Sequence, residues 1–134
     1  MNPDGPKILV VDDSPSKLFV TMEHLTENGF SVSLADSGDA ALAHLATAPA
    51  DLILLDVLMP GIDGFETCRR LKADPATCDI PVIFMTALAD SKYVVKGFAV
   101  GGADYVIKPI RIEEMLVRVN THLGLRNTRQ RLSE

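Results

Sequence analysis

Residues 8–15 read ILVVDDSP: four consecutive apolar residues, two acids, a serine and a proline. An apolar run without polar alternation is the pattern of a parallel strand covered by helices on both faces. Ser14 followed by Pro15 is an N-cap with proline at the first helical position, so this strand passes into a helix within three residues.

The same unit recurs along the chain. Further strands are predicted at Val32–Ala35, Leu52–Leu55, Val82–Met85 and Tyr105–Ile107. Between them apolar residues fall at helical spacing: Leu18, Met22 and Leu25; Leu42, Leu45 and Ala46; Phe65, Cys68 and Leu71; Val95, Phe98 and Ala99. Ser37 and Asp63 are placed to cap the second and third helices, and Gly29 and Gly101 to end the first and fourth. Five strand–helix repeats imply an α/β fold, a doubly wound parallel sheet with right-handed crossovers.

The 134 residues suffice for one domain with a core but not comfortably for two. Eighteen acids against thirteen bases give a net charge of −5, which argues against a nucleic-acid-binding surface. Cys68 and Cys78 lack metal-ligand spacing and suit a reduced, cytoplasmic setting, with Cys68 on an apolar stripe. No apolar run reaches the length of a membrane span. His24, His44 and His122 are read as surface or helix-end residues.

In an open parallel sheet the C-terminal ends of the strands share one edge, where ligands bind. The first strand ends in Asp12 and Asp13, the third in Asp56, the fourth in Thr86 and the fifth in Lys108; Asp36, at the end of the second, lies outside this cluster. Three gathered carboxylates repel one another and are tolerable mainly around a cation. An all-oxygen set with few protein ligands suits Mg²⁺ better than Ca²⁺. Mg²⁺ beside a carboxylate nucleophile, with an ammonium and a hydroxyl to receive peripheral oxygens, suits phosphoryl transfer to an Asp.

At these residues the chain resembles the receiver domain of two-component response regulators over about residues 7–123. The matching blocks are ILVVDDS at 8–14, LILLDVLMPGIDGFE at 52–66, PVIFMTA at 81–87 and GADYVIKP at 102–109. The resemblance implies a flavodoxin-like five-stranded sheet of order 2-1-3-4-5 with five helices. It implies phosphorylation of Asp56 by a sensor histidine kinase or histidine phosphotransfer protein. Asp13, Asp56 and the backbone carbonyl of Leu58 would bind Mg²⁺ directly and Asp12 through water, while Lys108 and Thr86 hold phosphoryl oxygens. It further implies a cis Lys108–Pro109 bond and a switch in which Thr86 moves toward the phosphoryl group and Tyr105 turns inward. That motion would reshape the face of the fourth helix, fifth strand and fifth helix, a surface for homodimerisation.

A phosphatase with an Asp nucleophile would need a second acid two residues on, where this chain has Leu58. A flavodoxin-like electron carrier would need a Ser/Thr-rich loop after the first strand. A degenerate receiver would have lost an acid, the Thr or the Lys. Residues 1–6 are expected to be a flexible lead-in. The fifth helix, with its stripe of Ile112, Met115, Leu116, Val119 and Leu123, is expected to run past Gly124, residues 124–134 beginning a linker to an output domain. Leu125 and Leu132 stand a heptad apart there. A free-standing receiver is the alternative, and the segment 96–127 resembles receivers placed before cyclases, kinases or phosphatases more than those before DNA-binding domains.

Overall fold

In the computed structural model, which describes the backbone of residues 5–133 and side chains through residue 128, five strands alternate with five helices. In chain order these are β1 (Lys7–Val11), α1 (Pro15–Glu27), β2 (Ser31–Ala35), α2 (Gly38–Thr47), β3 (Leu52–Leu55), α3 (Gly64–Ala73), β4 (Val82–Thr86), α4 (Ser91–Ala99), β5 (Asp104–Ile107) and α5 (Ile112–Ser133). The sheet is parallel throughout and its order is β2-β1-β3-β4-β5. The expected lead-in at residues 1–6 falls mostly on residues 1–4, outside the described residues.

Side chains alternate across each strand, so the sheet feeds two cores. Ile8 and Val10 of β1, with Leu52 and Leu54 of β3, pack against Leu18 and Leu25 of α1 and Met115, Val119 and Leu123 of α5. Leu9 and Val11, with Ile53 and Leu55, pack against Ala41 of α2 and Phe65, Cys68 and Leu71 of α3. Both faces are covered, and for this reason β3 and β4 are apolar and buried at nearly every position.

The helix ends follow their local chemistry, with one departure. Ser37 Oγ accepts the N–H of Ala40 and Asp63 Oδ1 that of Glu66, capping α2 and α3. Ser14 occupies the N-cap position of α1, but its side chain makes no capping bond; its hydroxyl meets that of Ser16 at 3.3 Å. Gly29 and Gly101, both at positive φ, follow the ends of α1 and α4.

Two predicted stripes sit differently. On α2, Gly38 and Ala41 are the buried residues and Ala46 is exposed, while Leu42 and Leu45 are half-buried. On α4 the predicted core positions Val95, Phe98 and Ala99 face outward; Tyr93, Val94, Gly97 and Val100 face the sheet instead. A glycine emits no apolar signal, so spacing placed the stripe on the wrong side. α5 continues as one helix through Gly124, and the side chain of Leu132 lies outside the described ones.

Candidate functional site

The strand order puts the ends of β1 and β3 side by side, where Val11 pairs with Leu55. The residues that follow, Asp12, Asp13 and Asp56, present carboxylate oxygens all within 4.8 Å of one another. Asp12 and Asp56 are buried and Asp13 is exposed, so the cluster opens to solvent on one side.

Asp12 and Asp56 are each held from their own loop. Asp12 Oδ1 accepts the N–H of Ser14, the N-cap residue of α1, at 3.0 Å. Asp56 Oδ1 accepts the N–H of Val57 at 2.7 Å. The loop after β3 is pinned by Gly64, whose N–H donates to Val57 O at 2.8 Å; a Cβ on Gly64 would lie 2.2 Å from Asp56 O, so only glycine permits α3 to start this close. Leu58, two residues beyond Asp56, is exposed.

Lys108, at the end of β5, reaches across β4 to this cluster. Its Nζ lies 3.1 Å from Asp12 Oδ2 and 3.2 Å from Asp56 Oδ2. Burial works against the ammonium, but the hydrogen bond to Asp12 and the charges of both carboxylates outweigh it, so its pKa is raised above the ordinary lysine value. The Lys108–Pro109 peptide bond is cis. Thr86 is fully buried at the end of β4, and its Oγ1 accepts the N–H of Leu88 at 3.3 Å.

Tyr105 is buried with its ring inward, tilted at 46° against Phe84 with centroids 6.0 Å apart, and its hydroxyl donates to Leu88 O at 2.7 Å. Burial first, then the charge of Asp56, pushes its pKa up, so the phenol keeps its proton. Asp36 is exposed beyond β2 and takes no part in the cluster.

Sequence reasoning missed a second ionic group. Asp104, buried at the start of β5, accepts from Arg118 Nη1 at 3.0 and 3.1 Å and lies 3.0 Å from His122 Nε2. His122 is therefore a partly buried partner of an acid, not merely a surface residue; Arg118 and His122, one turn apart on α5, carried the signal. His24 and His44 do lie in the last turns of α1 and α2. Both cysteines are free thiols, Cys68 fully buried and its pKa pushed by burial up to about 11, which leaves it inert.

A doubly wound parallel sheet with three acids and a lysine at its switch point defines a class of phosphate- or metal-handling α/β domains. Within that class the chain belongs to the response regulator receiver domain family, whose model matches residues 8–120. It is 43% identical over 115 residues to the response regulator PleD of Caulobacter vibrioides, covering 86% of this chain and 25% of that protein. It is 40% identical over 118 residues to the DNA-binding dual master transcriptional regulator RpaA of Synechocystis, covering 88% of this chain and 49% of RpaA. Among solved structures it is similar to the receiver domain of a signal transduction histidine kinase from Syntrophus aciditrophicus, at 35% identity and TM-score 0.84, over 90% of this chain and 91% of that one. The chain thus spans half or less of these two curated relatives. One of these names is that of a DNA-binding regulator and the other says only response regulator, so they do not select an output for this chain. Among the described residues no helix is long and apolar enough to cross a membrane.

Proposed function

We propose that this receiver domain is switched by phosphorylation of Asp56, with Asp12, Asp13 and the Leu58 carbonyl completing an Mg²⁺ site. The observation that carries the reading is the Asp56 carboxylate, set between two further acids within 4.8 Å and the Lys108 ammonium at 3.2 Å. Three hard carboxylates in a cluster that opens to solvent at Asp13 fit a small divalent cation, which would neutralise charge on the transferring group when bound.

In the transfer, an Asp56 carboxylate oxygen forms the new bond to phosphorus as the bond to the donor imidazole nitrogen breaks, and the imidazole leaves with its electron pair. The backbone N–H of Val57 holds Oδ1 and fixes the carboxylate. Lys108, already charged, passes from the carboxylate to a phosphoryl oxygen and meets the negative charge there. Thr86 Oγ1 exchanges its bond from Leu88 N–H for one it donates to the phosphoryl group. Tyr105 lies in the inward position that the resemblance ties to the switched state.

The donor is a phosphohistidine on a sensor kinase or phosphotransfer protein, in a cytoplasmic setting. Beside the acids, Ser16, Val20, Thr21, Pro109 and Ile110 line a groove, and Phe19 and Val20 are exposed on α1; this apolar rim suits a partner helix. α5 beyond Leu123 acts as the linker to an output domain.

Incubation with Mg²⁺ and a small phosphodonor should add one phosphate mass, and Asp56→Asn should abolish it. Full labelling of that variant would refute the assignment.

A further inference from the structure

Of the α4 positions that face the sheet, only the glycine is fully covered. Gly97 is the buried residue of that helix, while Val95 and Phe98 face solvent. A Cβ at position 97 would stand 2.9 Å from Tyr105 Cδ2, 3.2 Å from Tyr105 Cε2 and 3.2 Å from Phe84 Cδ2.

The two rings differ in their freedom. Phe84 is fully buried in β4, between Phe65 at 5.4 Å and Tyr105 at 6.0 Å, and has nowhere to go. Tyr105 stands on β5, the edge strand, where a rotation about χ1 takes the ring out to solvent. Its inward position is held at the far end by the hydroxyl's bond to Leu88 O. A methyl group on residue 97 therefore presses on the ring that has an exit.

We infer that Gly97 is a positioning residue for Tyr105: by presenting no side chain to β5 it opens the socket that receives the inward ring, and so sets how readily the switch is thrown. The packing half of this inference stands on the contacts alone; its consequence for activation rests on the function proposed above. Helix propensity points the opposite way, since alanine is favoured over glycine inside a helix. A residue that merely built α4 would thus accept alanine with a gain in stability and no effect on Tyr105.

The experiment uses the Gly97→Ala variant of the full chain. Tyr93 and Tyr105 are its two tyrosines, so 3-fluorotyrosine incorporated into a Tyr93→Phe background reports Tyr105 alone. In the ¹⁹F spectrum, Gly97→Ala should move the resonance toward the solvent-exposed value, with a larger H₂O/D₂O shift. In the second arm, half-saturation by beryllofluoride with Mg²⁺ should rise at least about fivefold, the lower end of ordinary coupling between two sites. In a Tyr105→Leu background the same substitution should change it less than about twofold.

An unmoved ¹⁹F resonance, or an equal loss of affinity in the Tyr105→Leu background, overturns the inference. Should Gly97→Ala fail to fold, folding of the Gly97→Ala/Tyr105→Leu double variant supports the contact and failure of both overturns it. A parent chain that binds no beryllofluoride refutes the switch reading, and the ¹⁹F arm then decides the socket by itself.

Discussion

The Lys108 ammonium lies 3.2 Å from Asp56 Oδ2, although the two residues end strands that are not neighbours; β4 runs between β3 and β5. The lysine is thus the internal counter-ion of the cluster, and a metal bound as proposed would draw on the same oxygens.

Lys108→Ala should therefore bind Mg²⁺ more tightly, by about five- to tenfold, because the competing charge is gone. Titration of the metal by calorimetry checks this, and weaker binding would contradict it. The pH dependence follows from the raised pKa of Lys108. Its contribution to stability is complete below the unfolded lysine value, about 10.5, and is lost as pH rises through the higher folded value. Metal-free protein should lose stability in that alkaline window, and Lys108→Ala should lack that loss.

The phosphoryl group should be comparatively long-lived. Leu58 and Leu88 stand two residues beyond Asp56 and Thr86, and neither side chain can hydrogen-bond a water for in-line attack. Leu58→Asn and Leu88→Glu should each change the dephosphorylation rate by about tenfold. Decay of labelled protein measures it; two unchanged rates would place control of water elsewhere.

Asp104 should contribute to acid stability. Burial alone would raise its pKa, but the Tyr105 N–H, His122 and Arg118 outweigh that and lower it below the ordinary value of 3.8. Its contribution is present above 3.8 and is lost as pH falls through the lower folded value. Asp104→Asn should cost about 1–2 kcal/mol in urea unfolding at pH 7, and the difference from the parent should shrink below pH 3. A gap that stays constant to pH 2 would count against the linkage.

Phosphorylation should favour a dimer through the face made by α4, β5 and α5. Val95, Phe98, Ile107 and Val117 are exposed there, an apolar surface that a second copy would cover. Sedimentation should show association with beryllofluoride and Mg²⁺, prevented by Phe98→Glu. A monomer well above micromolar concentration would reject it.

The strands and the acids at their ends were legible because parallel strands buried on both faces carry unbroken apolar runs, and because switch-point residues directly follow them. α4 was not. Its outward Val95 and Phe98 keep helical spacing, and the position fully covered against the sheet is a glycine, invisible to any hydrophobic pattern. Asp104, Arg118 and His122 were hidden for another reason: an acid at a strand start reads as a boundary residue until the fold lays α5 across it. Ser14 was correctly placed just before the first helix, but its hydroxyl makes no capping bond; the local side-chain bond there is Asp12 Oδ1 accepting the Ser14 N–H.

α5 does not stop where the sheet stops. Met115, Val119 and Leu123 seat its first half in the core, and Arg126 Nη1 grips Asp51 Oδ1 at 2.8 Å, while the other oxygen of Asp51 takes the N–H of Lys7. From that grip to Ser133 the helix runs about 10 Å at ~1.5 Å per residue. Arg126 is a fulcrum, with an inner arm of about 21 Å packed in the domain and an outer arm about half as long beyond it. A tilt of about 10° at the root carries the tip through about 2 Å over that length, so a shift too small to alter the fold is delivered at the far end as mechanical travel.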